Sequence, residues 1–388
     1  MKNLVLISIA FLMVIQALHA QTWKKPVYII DPETISGGDF GRFSKLLVVN
    51  GNPAMVALDA ARSGLLFIRA LDPSGTNWAK PVRVDTRLGW DCSLQIVNGN
   101  PAISYFDILK GDLIYVRSLD ASGTVWPTPI TLDGNTSYVG SYTSLEVVNG
   151  NPAISYYDDT KGDLKYIRAM DASGIAWAQP ITVDTAQNIG RWTSLRVVNG
   201  KPAISYYDVT NRDLKYVYAK DISGSAWEVP ITIDATEDVG EETSLQVVNG
   251  HPAISYDRRG ISTNSAMKYI RASDSTGKAW NNPVIIDSSS NGLASNPSSS
   301  LQIVNGNPAI SYRSFRSNQD LGGFNLNYVV AFDVSGASWQ KPITIDTLGR
   351  VGLYSSLQVV NGNPAISYYD QTKAELKYIR AVNPSGTI

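Results

Sequence analysis

The chain has 388 residues, among them 33 Lys or Arg, 34 Asp or Glu, two His and one Cys, for a net charge of −1. Charges of both signs are interspersed along the whole length, which argues against a nucleic-acid or anionic-membrane surface. One Cys excludes a disulfide framework, and so few His leave no material for a multi-histidine zinc site or a histidine-based triad.

Residues 1–20 open with Lys2, continue in an apolar run from Leu4 to about Ala17 and end on Leu18-His19-Ala20 before Gln21. This pattern predicts a signal peptide, with the remainder, 21–388, exported as one domain. The apolar run falls short of the roughly 20 residues a spanning helix requires, and no other segment approaches that length, so membrane insertion is not expected.

From there one unit is written seven times, most cleanly at 145–184, LEVVNGNPAISYYDDTKGDLKYIRAMDASGIAWAQPITVD. Its first Pro recurs at Pro53, Pro101, Pro152, Pro202, Pro252, Pro308 and Pro364, a spacing near fifty residues that means blades or a solenoid. Within a copy, two β-rich runs flank an Asn-Gly pair, the signature of a type I′ hairpin. A third run, LKYIRAM, follows the turn formers DDTKGD, and a fourth opens at Trp177 after DASG. Four strands cannot cover both faces of their own sheet, whereas radial neighbours can. The expected fold is therefore an all-β, seven-bladed propeller of four-stranded blades. The seventh copy stops before its Trp, and Trp23-Lys24-Lys25-Pro26-Val27-Tyr28-Ile29-Ile30-Asp31 supplies the matching strand, so the N-terminal strand should complete the last blade and remove an open edge.

The DxSGxxW turn recurs at Asp72-Ser74-Gly75-Trp78, Asp120-Ser122-Gly123-Trp126, Asp171-Ser173-Gly174-Trp177 and Asp221-Ser223-Gly224-Trp227. It resembles the Asp-box turn of sialidase-type propellers, with the Asp one residue farther from the Gly than in the SxDxGxxW family form. The chain after residue 20 also resembles secreted bacterial propellers built from near-identical blades, a grouping that includes sugar-binding lectins. The resemblance implies a structural turn and no catalytic residue, because Asp boxes lie away from the sialidase active site. The repeated arginines Arg69, Arg117, Arg168, Arg271 and Arg380 share one position on the third strand, unlike the dissimilar residues of a catalytic centre.

Two places vary where the rest repeats. Seven residues before each turn Asn stand Phe43, Asp91, Tyr142, Trp192, Glu242, Ser298 and Tyr354. Aromatic faces stack on sugar C–H faces and carboxylates accept hydroxyl hydrogen bonds, although the same rings could simply fill the mouth of the channel. In blades five and six the second-to-third-strand loop is lengthened and carries Arg258, Arg259, Arg313, Arg316, Phe315 and Phe324, a rim suited to an acidic glycan or peptide. Cys92 is expected as a small buried residue and His251 as a turn residue. Asp107, Asp112, Asp158, Asp163, Asp208 and Asp213 bracket equivalent turns, where calcium would need six to eight oxygens and Asx-type bonding needs far fewer. No catalytic residue, metal or cofactor is assigned. The predicted function is a secreted, periplasmic or cell-surface binding or adhesion module for carbohydrate, with a scaffold for a cell-surface protein and a sialidase-like glycosidase or lyase as alternatives.

Overall fold

The computed structural model describes residues 22–29, 38–61, 64–134, 137–259, 265–288, 298–316 and 323–387, with the Arg316 side chain excluded. The predicted signal peptide and the inserted segments of the blade-five and blade-six loops lie outside these residues.

Each copy of the repeat forms one antiparallel four-stranded sheet, and seven such sheets, 28 strands among the described residues, make the ring. In blade 3 the strands, A to D from the axis outwards, are Val139–Val148, Asn151–Asp158, Asp163–Arg168 and Ile181–Asp184. Asn149 and Gly150 both take positive φ, 46° and 79°, as a type I′ turn requires. Strand D is shorter than its sequence suggests: Trp177 makes only an isolated bridge to Ala169, and regular pairing resumes at Ile181, after Pro180.

The cores lie between blades. Ile154 and Tyr156 of blade 3 pack with Leu113 and Tyr115 of blade 2, while Ala153 on the other face packs with Ile204 and Tyr206 of blade 4. A polar clamp accompanies this packing. Asp184, at the end of strand D in blade 4's predecessor, accepts from Tyr206 Oη at 2.7 Å and Lys215 Nζ at 2.9 Å. Asp133, Asp234 and Asp346 hold the next blade's Tyr and Lys in the same way.

Closure follows the expected route. Val27–Ile29 pairs antiparallel with Glu375–Arg380, Trp23 bridges Ala381, and the Trp23 indole donates to Gly386 O at 2.9 Å. The seam between blades 7 and 1 differs from the others, because Ala57 and Leu66 replace the clamp's Tyr and Lys and pack with Ile29, Met55 and Tyr378.

The DxSG turns perform as structural devices. Asp171 accepts from the amides of Ser173, Ile175 and Ala176 at 2.9, 3.0 and 2.7 Å, and the Trp177 indole donates to Gly174 O at 2.8 Å. Gly174 is required twice over. Its φ is 73°, and a Cβ there would lie 2.7 Å from the Tyr115 ring of the preceding blade. The third-strand arginines clamp the first hairpin, as in Arg168 Nε to Val148 O at 2.9 Å. His251 does the work of the Asn it replaces: its Nδ1 lies 3.0 Å from Ala272 O, where Asn151 Nδ2 bonds Ala169 O in blade 3.

Candidate functional site

Strand A of every blade enters from the loop side, and six of the seven carry a β-bulge near that entrance. In blade 3 the pairing skips from Ser141 to Ser144, leaving Tyr142 and Thr143 without partners on strand B. A bulge bends the strand and re-aims one side chain. The re-aimed residue is the variable one in those six blades, and its left-handed backbone is shared by Ser298 in the seventh. Phe43, Asp91, Tyr142, Trp192, Glu242, Ser298 and Tyr354 have φ of 55, 49, 55, 50, 53, 50 and 56°. A bulky non-glycine residue in this region is an outlier that the surroundings must enforce.

The surroundings do so through a hydroxyl belt. In six of the seven blades the residue after the variable position donates to the carbonyl of the preceding blade's variable residue. Thr193 bonds Tyr142 O at 3.0 Å, Thr243 bonds Trp192 O at 2.8 Å, Ser299 bonds Glu242 O at 3.1 Å and Ser44 bonds Tyr354 O at 3.1 Å. Cys92 takes the same place, with its thiol 2.7 Å from Phe43 O. Cys92 is fully buried, and burial pushes its pKa up to about 12.

The seven residues converge on one axial cavity of about 490 Å³. Phe43 and Tyr354 lie 4.5 Å apart by ring centroid, Tyr142 and Trp192 5.0 Å. The Trp192 indole donates to Glu242 Oε1 at 3.0 Å, and the Tyr142 amide donates to Asp91 Oδ2 at 2.9 Å. Burial raises Asp91 to about 6 and Glu242 to about 7, with the Lys45 charge acting in the opposite direction on both. The mouth thus combines four rings with two carboxyl groups that titrate near neutrality.

Behind the mouth stands a second ring. Tyr157, Tyr207 and Tyr369 support Tyr142, Trp192 and Tyr354 at centroid distances of 6.2, 5.5 and 6.4 Å. Asp257 of blade 5 and Arg313 of blade 6 take the equivalent positions and are 4% and 3% exposed. The Arg313 guanidinium stacks 3.6 Å from the Phe324 centroid and donates to Gln371 Oε1, while Arg350 covers the same ring at 5.1 Å. Burial and the neighbouring Arg350 charge lower Arg313 to about 10.

Phe43, Tyr142, Trp192 and Tyr354 therefore stand together around one cavity. Arg258, Arg259 and Arg313 do not line it. Arg258 faces Glu237 at 3.6 Å and Arg259 pairs with Glu241 at 2.8 Å, both carboxylates on the approach to or within strand A of the same blade. The first aspartate of each bracketing pair, Asp107, Asp158 and Asp208, acts in an Asx-type turn, as in Asp158 Oδ1 accepting from the Thr160 and Lys161 amides. Sequence reasoning missed Trp90, which lies 5.3 Å from Phe43, and Lys45. Comparing the seven copies at position 45 would have found the latter, since the other six carry Ser.

The fold and its axial cavity define a seven-bladed propeller with a ligand-sized mouth. No protein-family model matches the sequence, and no curated protein does. Among solved structures, an arginine-substituted variant of AofleA from Arthrobotrys oligospora is similar over 80% of this chain and 88% of its own, at 14% identity and a TM-score of 0.51. NanB sialidase from Streptococcus pneumoniae is similar over 94% of this chain and 71% of its own, at 12% identity and 0.49. A Hadza microbial sialidase is similar over 88% and 75%, at 14% identity and 0.49. At these identities the likeness concerns the fold.

Proposed function

We propose that this protein is an exported, non-catalytic carbohydrate-binding propeller whose ligand sits in the axial mouth. The observation that carries this reading is the ring of seven left-handed residues around one cavity, varied in identity where the rest of the blade is repeated. Phe43, Tyr142, Trp192 and Tyr354 stack on sugar C–H faces, and Asp91 and Glu242 accept hydroxyl hydrogen bonds. Side-chain variation confined to a cavity mouth on an otherwise repeated scaffold supports a binding role. On blade 5, Arg259, half exposed beside Glu241, is available to acidic substituents of a longer glycan.

A glycan array followed by calorimetry tests the reading. Trp192→Ala should weaken the best array ligand at least tenfold while the ring still melts cooperatively. Unchanged affinity in a folded variant removes the mouth from consideration, and an empty array favours a protein-binding scaffold. One observation favours a second reading, a glycosidase: Glu242, raised to about 7, holds its proton near neutrality as a general acid must. A fluorogenic glycoside panel distinguishes the two. Turnover lost in Glu242→Gln with binding retained would establish the enzyme.

A further inference from the structure

Alternate residues of strand A face the channel, so below the mouth lies a second layer: Lys45, Ser93, Ser144, Ser194, Ser244, Ser300 and Ser356. Each serine oxygen accepts the amide of the next blade's leucine. The pairs are Ser93 with Leu145, Ser144 with Leu195, Ser194 with Leu245, Ser244 with Leu301, Ser300 with Leu357 and Ser356 with Leu46, all at 3.0 or 3.1 Å. These bonds use the oxygens as acceptors. Among the described residues none of the six hydroxyls donates to a protein acceptor, so six O–H groups remain to point at the axis. The seventh position breaks the pattern, for Lys45 gives Leu94 no hydroxyl and puts an ammonium into the channel instead. That ammonium forms no hydrogen bond or ion pair with a described residue, although its field reaches Asp91 and Glu242 at the mouth.

The third layer, below the serines, is paired among its own residues. Gln95 donates to Glu146 at 3.1 Å, Arg196 lies 3.5 Å from Glu146, and Gln302 donates to Gln358 at 3.2 Å. Charge is balanced there, whereas the serine layer holds one cation and six hydroxyls whose protons are not donated to described residues.

We propose that this layer is an oxyanion site, with Lys45 and the serine hydroxyls receiving a carboxylate, and that the propeller therefore takes sugars bearing a uronic acid. The choice of a sugar as carrier rests on the function proposed for the mouth; the anion site itself does not. Donors preorganised around a single cation in the channel favour a small anion over a neutral group, which offers the ammonium no charge partner. Charged groups facing this layer are Asp91 and Glu242 above and Glu146 and Arg196 below. Deprotonation of Asp91 and Glu242 opposes an incoming anion, so affinity should fall as pH rises through 6 to 7.

The probes are methyl glucuronide, methyl glucoside and acetate, titrated by calorimetry at pH 5 and pH 8. The wild type should bind methyl glucuronide at least tenfold tighter than methyl glucoside, with the preference larger at pH 5. Lys45→Ser restores the residue found in the other six blades and should fold at least as well, yet the preference should vanish; Lys45→Arg should keep it. Equal affinity for the two glycosides, or a preference that survives in Lys45→Ser, overturns the proposal. If neither glycoside binds, the sugar reading of the mouth fails, and acetate then decides the anion site alone. Acetate binding lost in Lys45→Ser upholds the site, and no acetate binding to the wild type overturns it.

Discussion

Glu242 makes the folded protein's stability depend on pH in an unusual direction. Its carboxyl rises from 4.5 to about 7 in the ring, chiefly through burial, despite the Lys45 charge and the Trp192 hydrogen bond. A raised acid binds its proton more tightly folded than unfolded. Its contribution is therefore neutral below pH 4 and becomes a penalty as pH climbs from about 4.5 through 7. At ~1.4 kcal/mol per pH unit, the full penalty is about 3 kcal/mol above pH 8. With an unfolding entropy of roughly 2 cal/mol/K per residue, that corresponds to a melting shift of about 4 °C for a ring this size. Glu242→Gln retains an oxygen for the Trp192 indole and removes the charge. Its melting temperature should match the wild type near pH 4.5 and exceed it by about 4 °C at pH 8.5. Thermal melts across that range by circular dichroism provide the comparison, and parallel curves for the two proteins would refute the reasoning.

Other expectations concern the scaffold. Removing the strand that closes the ring exposes the edge at Glu375–Arg380, so a variant lacking residues 22–29 should form oligomers on size exclusion; a monomer with unchanged melting would count against closure. Asp171→Ala strips one turn of three amide bonds and should cost about 2 kcal/mol at neutral pH. Burial tends to raise the Asp171 carboxyl, but bonds from Ala176, Ile175 and Ser173 hold it below the ordinary value, so the loss should shrink as pH falls below 4. Cys92, fully buried with its pKa pushed up to about 12, should resist iodoacetamide in the native state and react in guanidinium; rapid native labelling would contradict the packing.

Much of the ring was legible because its devices are local and repeated seven times. Asn149-Gly150, Asp171 to Trp177 and the displaced strand at Trp23 each identify a turn or an edge without tertiary information. The mouth residues were legible in position, since variation at Phe43 through Tyr354 stands out against constant neighbours. Their backbone was not. Nothing in Gly-Ser-Tyr-Thr-Ser announces a left-handed tyrosine, because the conformation depends on contacts with the neighbouring blades. Arg258 and Arg259 read as a free basic rim, yet Glu237 and Glu241 come from the strand alongside, and pairing across a sheet is invisible in linear order. Lys45 escaped notice for a different reason: an exposed lysine in a strand is ordinary until the six serines are placed around it.

The left-handed backbone appears whatever side chain occupies it, including Ser298, so the scaffold fixes the backbone and leaves specificity to the side chain. A left-handed residue costs about 1 to 2 kcal/mol, and something must hold it. The hydroxyl belt is the candidate, since each donor grips the carbonyl of the strained residue next door. Thr243→Val tests this with little change in shape. It removes the 2.8 Å bond to Trp192 O and leaves the Ser205 hydroxyl, 2.8 Å from Thr243 Oγ1, without its partner. The loss should be about 1 to 2 kcal/mol. Because Thr243 bonds the Trp192 backbone and not its ring, any ligand stacked on Trp192 should also weaken several-fold, through misplacement of the indole. Tryptophan fluorescence anisotropy of a variant retaining only Trp192 near the mouth, with Trp90→Phe, would report that loosening. A Thr243→Val protein with unchanged melting and an equally immobile Trp192 would mean that the bulge is held by strand convergence alone, and the belt would be a consequence of the left-handed ring and not its cause.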